Sequence, residues 1–400
     1  MQTRTQVPNH WFILTVALLS MTGPFTIDTY LPSFPTMEAE FQISRALMSQ
    51  SIGFYLVAAA FSTLFWGPLS DRIGRRRVIL TTLGLYLVAS LGCAIASDYS
   101  SFLLFRVLQG MSASGGMIAG RAMIRDAHDS HMAHRALAYV MMLFGLAPAI
   151  APIIGGWLHD AFGWRSVFYF LALYGLVIFL MTAYFLKETL ARADQQSFHP
   201  WDVARVYWRS LTHLRFLTLI LALGSSFGGL FIFIAGSPTV IYDFLHLSST
   251  DFGYQFVPMT AGIIAGSFTS GKLSHRWPTR HIVHLAFFAM ILASLISVSR
   301  AFYSETTIIG IIAPQVLYAF GMALSMPALS ILAIDCFPHN RGLASAVQSF
   351  IHILFAAVVA SIIVPMLATS VIGFAVAQLL CIAAALIMWL WSGIFSTENC

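Results

Sequence analysis

Apolar residues in this chain gather into twelve blocks of about 20, each long enough at about 1.5 Å per residue to cross a hydrocarbon core of about 30 Å as a helix. The blocks cover residues 12–31, 47–70, 78–96, 100–123, 136–158, 166–186, 216–236, 252–271, 282–300, 307–333, 342–366 and 370–395. The pattern predicts an all-α integral membrane protein of twelve transmembrane helices, because a helix pairs its own backbone groups where no water is present to do so. The first block, Trp11 to Leu31, is too long for a secretory signal and has only Arg4 ahead of it, so it is expected to remain as the first span.

Composition agrees with the pattern. Of 400 residues, 58% are hydrophobic and 9% charged, against about 25% charged in an ordinary soluble domain. A water-soluble fold would have too little polar surface to present. The four cysteines have no paired spacing, so neither a disulfide framework nor a metal knuckle is expected.

The net charge of +5 changes the picture through its placement. With the N-terminus inside, 17 of the 21 Lys and Arg fall in or beside cytoplasmic connections, only Arg45, Arg165 and Arg300 fall outside, and Arg106 lies within a span. Positive charge is retained on the cytoplasmic side during insertion, so both termini are expected in the cytoplasm. Topology accounts for the basic residues, and no nucleic-acid partner is expected.

The longest polar stretch, Lys187 to Arg215, divides the chain near its middle. We expect a six-helix bundle over residues 1–190, a cytoplasmic linker over 191–214 and a second six-helix bundle over 215–400. The halves echo each other: Gly67-Pro-Leu-Ser-Asp-Arg72 matches Gly271-Lys-Leu-Ser-His-Arg276, and Arg135-Ala-Leu-Ala138 matches Arg341-Gly-Leu-Ala344, at offsets of 204 and 206 residues. Two matches at nearly one offset, each at a corresponding junction, point to duplication, a transporter-like architecture.

Of the 16 acidic residues only Asp28 falls well within a predicted span, in Pro24-Phe-Thr-Ile-Asp28-Thr-Tyr30-Leu-Pro32. An acid is costly in hydrocarbon and marks a candidate proton carrier. The alternative is that Asp28 only caps or snorkels near the outer end of its helix. Arg106 lies about six positions into the fourth block, roughly 9 Å deep, and Asp28 about 17 positions along the first, roughly 25 Å. The helices run in opposite directions, so the two charges reach comparable depth and are expected to pair across a central cavity. The alternative for Arg106 is to satisfy carbonyls between packed helices. Tyr30, Gln109, Gln348 and His352 are candidate cavity residues, with interhelical hydrogen bonding as the other reading of the two glutamines and the histidine.

His128, His131 and His134 are spaced by three, but no further ligand completes a metal site, and none is expected. No HExxH, GxSxG, P-loop or acidic cluster marks an enzyme, and no cofactor is expected.

Gly67-Pro-Leu-Ser-Asp71-Arg72-Ile-Gly74-Arg75-Arg76-Arg77 resembles motif A of the major facilitator superfamily, at its usual place between the second and third spans. Arg106-Val-Leu-Gln109-Gly110 resembles motif B, and Ala147-Pro148-Ala-Ile-Ala151-Pro152-Ile-Ile-Gly155-Gly156 resembles the antiporter-associated motif C, with alanine where glycine is more usual. Together with Asp28-Thr-Tyr-Leu-Pro32-Ser-Phe-Pro35 and Lys187-Glu-Thr-Leu190, the pattern is most similar to the Bcr/CflA branch of drug:proton antiporters.

The resemblance implies a functional monomer in the bacterial cytoplasmic membrane that exports small organic molecules against protons by alternating access. It also implies proton transfer at Arg106, and an inner latch in which Asp71 and Arg72 take part and Asp71 faces the start of the eleventh span. A proton symporter importing a small polar nutrient, or an exporter of a metabolite or siderophore, are the alternatives on the same fold.

Overall fold

The computed structural model describes residues 10–190, 200–303, 307–338, 340–367 and 369–394. Among the described residues there is no strand. The helices are α1 (His10–Asp28), α2 (Phe34–Phe41), α3 (Arg45–Ile73), α4 (Arg75–Ile95), α5 (Tyr99–Ala127), α6 (Ser130–Phe162), α7 (Trp164–Phe185), α8 (Pro200–Thr212), α9 (Leu214–Ala235), α10 (Gly253–Leu273), α11 (Thr279–Tyr303), α12 (Ile308–Ile334), α13 (Arg341–Val358), α14 (Val364–Leu367) and α15 (Val371–Ile394). Two π-helical segments, Thr239–Phe244 and Val359–Ile363, extend α9 and α13.

Eleven segments among the described residues are long and apolar enough to cross a membrane. The twelfth by position is α10, 21 residues whose Gly, Ser and Thr lower its mean hydropathy. The chain is therefore a multi-pass membrane protein.

Short polar residues start these helices where the pattern ends the connections. Ser44, Asp98, Asp129 and Thr307 accept the N–H of Leu47, Ser101, Met132 and Gly310, at 3.4, 2.9, 2.8 and 3.1 Å, and each supplies one of the partners a helix start lacks. Gly163, at φ 78°, turns the chain from α6 into α7 in a conformation that glycine adopts without a Cβ penalty.

Two predicted boundaries shift. The first block extends to Leu31, whereas α1 stops at Asp28; a turn, a 3-10 segment (Leu31–Ser33) and α2 carry the chain onward. Pro32 has no N–H to continue the α pattern, and Pro35 follows it. Within the stretch expected as a linker, Pro200–Thr212 forms α8, and residues 191–199 lie outside the described residues.

Helices α1 to α7 pack mainly on one another, through α3 on α5, α4 on α5 and α7, and α1 on α6; α9 to α15 do the same through α10 and α11 on α12 and α9 on α15. The two groups meet where α3 runs along α13 and α6 along α10. One end of the molecule carries α2 and the start of α3; the other carries Arg72, Arg75, Arg76 and Arg77.

Candidate transport site

Asp28 and Arg106 are the two Asp, Glu, Lys or Arg residues that are fully buried among the described ones, at 3% and 0% exposure. Both belong to the α1–α7 group. Asp28 is the last residue of α1, directly before the break, and Arg106 is on the second turn of α5, which Asp98 anchors from outside the span. Accepting hydrogen bonds from the Ser101 backbone and hydroxyl holds the Asp98 carboxyl below the usual carboxylate range.

Arg106 is held by a polar cluster that joins α1, α3, α4 and α5. Its Nη1 donates to the Thr26 carbonyl at 3.3 Å and to Gln109 Oε1 at 2.7 Å. Its guanidinium carbon lies 4.4 Å from the Tyr30 ring centre and 4.6 Å from that of Tyr55, so two aromatic faces flank the charge. Gln109 Nε2 donates to Ser90 Oγ at 2.8 Å, and the hydroxyls of Thr26 and Tyr86 meet at 2.7 Å. The Tyr30 hydroxyl lies 3.0 Å from Ser51 Oγ. Arg106 Nε and Nη2 have no hydrogen-bond partner.

No ion pair within 4.0 Å closes between Asp28 and Arg106 among the described residues. The contact runs instead through the backbone, since the Thr26 carbonyl that receives Arg106 is two residues ahead of Asp28. A carbonyl carries a partial negative charge that does not titrate, so Arg106 keeps a partner whatever the protonation of Asp28.

Motif C touches this break directly. A Cβ on Gly155 of α6 would collide with the backbone of Thr29, the residue after Asp28, and a Cβ on Gly156 would collide with the backbone of Ser249 in the other group of helices. The two glycines therefore let one point of α6 contact the Asp28 turn on one side and the second half on the other. Pro152 and Pro148 lie one and two turns earlier in α6, where each removes a backbone donor.

Gln348 and His352 belong to the second group and make no contact with the Arg106 cluster among the described residues. Gln348 Nε2 donates to Ser330 Oγ of α12 at 2.7 Å, and the His352 ring stacks on Phe227 of α9 at 4.1 Å between centres. Gln348 Oε1 and His352 Nδ1 are buried without partners.

At the arginine-rich end, motif A is a closed cluster within one half. Gly74, at φ 105°, separates α3 from α4, and Gly67 lies on α3 beside Ile118 of α5. Arg75 pairs with Asp71 and, at 3.2 Å, with Asp126 of α5. Glu188 accepts the backbone N–H groups of Arg75 and Arg76 at 3.0 and 3.2 Å, which caps α4 with a carboxylate at the favoured end of its dipole. Arg76 also donates to the Ala183 carbonyl at 2.8 Å. Among the described residues no hydrogen bond or ion pair joins Asp71 or Arg72 to α13.

Of the histidine triplet, His128 Nδ1 lies 3.0 Å from the Ile124 carbonyl, and the side chains of His131 and His134 lie outside the described residues. The sequence reading missed Tyr55, Tyr86, Thr26 and Ser90. On their helices they are ordinary aromatic and hydroxyl residues, and only folding places them around Arg106.

The chain is 30% identical to the multidrug transporter MdfA of Edwardsiella piscicida over 81% of its length and 79% of that protein's. It is 28% identical to a bicyclomycin resistance protein homolog of Haemophilus influenzae over 65% of its length and 66% of that protein's. The crystal structure of a D-xylose-proton symporter superimposes with a TM-score of 0.75 at 15% identity, covering 95% of this chain and 97% of that one, which shows a shared fold. The model of the Major Facilitator Superfamily matches residues 13–361, and the chain belongs to that family, with its resemblance lying toward the drug:proton antiporters.

Proposed function

We propose that this protein exports small organic molecules across the bacterial cytoplasmic membrane in exchange for protons, by alternating access between helix groups α1–α7 and α9–α15. The arginine-rich end faces the cytoplasm in this reading, with both chain termini, following the excess of basic residues there. Substrate enters between the halves from that side, and Asp28 takes up a proton from the opposite side as the substrate leaves.

The observation that carries the reading is the position of Asp28. It is buried at the break of α1, beside the backbone on which Gly155 of α6 rests, and close to the carbonyl that binds Arg106. A proton arriving there alters the charge at the turn where motif C meets the first half, which links titration to the packing between halves. Similarity to proteins named for multidrug transport and bicyclomycin resistance supports export over import.

Everted membrane vesicles with an acidified lumen test it. An antiporter accumulates drug in that lumen and loses the accumulation in Asp28→Asn, whereas a symporter drives the same compound out and refutes the export reading.

A further inference from the structure

Helix α5 carries a second, partly buried guanidinium. The sequence places Arg121 with the cytoplasmic basic residues, but in the structure it lies within α5, six residues before the end at Ala127. It follows Arg106 by just over four turns, so the two leave α5 on the same side, about 60° apart in projection and about 22 Å apart along the axis.

The surroundings of Arg121 are apolar. Gly116 and Gly120 pack on Leu19 and Val16 of α1, and Val16 and Ala17 cluster with Ile124 of α5 and with Ala133, Ala136 and Val140 of α6. Arg121 is therefore next to the convergence of α1, α5 and α6. Its Nη2 reaches the Met141 sulfur of α6 at 3.7 Å, a weak acceptor, and its Nε is buried without a partner.

No carboxylate among the described residues pairs with it. Asp126, on the next turn, is engaged by Arg75, and Arg125 adds a like charge nearby. Arg106 also leaves two nitrogens unpartnered. Two guanidiniums with donors to spare thus lie along one side of α5, and the one deeply buried carboxylate, Asp28, is near Arg106. A topological anchor needs its charge at the water surface, and that requirement does not explain a guanidinium whose Nε is buried without a partner and whose Nη2 turns to a thioether.

We infer that Arg121 binds a negative group on the substrate, so that the protein prefers organic acids, such as carboxylates or phosphonates, to permanently cationic compounds. The inference rests on the exporter reading above and names its substrate class. A guanidinium fork matches a carboxylate or phosphonate in two parallel hydrogen bonds, whereas a quaternary ammonium would meet only like charge.

The test uses the full-length protein in liposomes under an imposed proton gradient, with one naphthalene scaffold bearing a carboxylate, a carboxamide or a trimethylammonium group. The carboxylate is expected to exceed the trimethylammonium in kcat/KM by at least about tenfold, the scale of one charge-assisted contact. Arg121→Gln is expected to lower the carboxylate-to-carboxamide ratio by about tenfold, mainly through KM, and Arg121→Lys to recover part of it.

Equal handling of the three probes, or an unchanged ratio in Arg121→Gln, overturns the inference and leaves proton-coupled export standing. Gradient-driven flux of none of the three overturns both. If Arg121→Gln fails to reconstitute, the wild-type order decides, and a cation carried as well as the carboxylate overturns the proposal.

Discussion

The two ends of the molecule hold the halves together in different ways. At the α2 end the contacts cross between the halves. Arg45 pairs with Glu38 in its own half and with Asp243 of the other at 2.9 Å, the Tyr242 hydroxyl donates to the Pro32 carbonyl at 2.6 Å, and Gly156 abuts the Ser249 backbone. At the arginine-rich end the ion pairs of Asp71, Arg75 and Asp126 and the Glu188 cap stay within the first half. A hydrogen bond near that end comes from the Tyr207 hydroxyl of α8, which donates to the Leu64 carbonyl of α3 at 2.9 Å. The difference teaches that the motif A charges find their partners within their own half, and that the α2 seam is closed in this conformation.

If the seam is what closes, the most disruptive change is a side chain where backbones touch. Gly156→Leu is expected to cut transport by at least about a hundredfold, because backbone cannot move aside as a side-chain tip can. A disulfide between cysteines placed at 45 and 243 is then expected to form poorly; efficient cross-linking would count against the seam.

Asp28→Asn comes next. Loss of proton-driven accumulation by at least about tenfold is expected, with substrate exchange down its own gradient retained, since a neutral amide can cycle but cannot carry a proton. Exchange and accumulation failing together would assign Asp28 a structural role.

Asp243→Asn removes only a half-exposed ion pair, worth less than about 1 kcal/mol. It is expected to shift the conformational equilibrium by about twofold to fivefold toward opening at the α2 end, read as faster labelling of a cysteine at position 249. Asp71→Asn is the smallest perturbation of the seam: labelling at 249 should stay within about twofold of wild type, because among the described residues Asp71 makes no hydrogen bond or ion pair to the second half. A larger change would mean that the two ends are coupled in this state.

The same contrast marks what the sequence could reveal. Twelve apolar blocks foretold the spans to within a few residues, because a lipid solvent demands long apolar helices. The arginines of motif A were legible because clustered charge is conspicuous in a chain of this composition, and Asp28 and Arg106 stood out for the same reason. Part of the Arg106 cage was not legible: Thr26, Tyr55, Tyr86 and Ser90 come from three helices, and no spacing along one helix announces their meeting. The pairing expected between Asp28 and Arg106 followed from depth alone, which sets height along the membrane normal but not the rotation of each side chain about its helix. Helix α2 and the break after Asp28 escaped because the apolar run continues through Leu31, while Pro32 settles the backbone.

Three of the second-half residues at the seam share a backbone feature. Tyr242 and Asp243 lie on the π-helical segment Thr239–Phe244, and Ser361, which faces Gly53 of α3, lies on the other, Val359–Ile363. In the first of these, Leu245 N–H bonds the Val240 carbonyl at 3.0 Å, a wider ring than an α-helix closes. A segment wound this way stores one residue of slack. Moving a single hydrogen bond back by one residue would rotate the side chains beyond it by about 100°. The seam could then be unfastened by a local change in winding, with the apolar helices that hold it in the bilayer left in place.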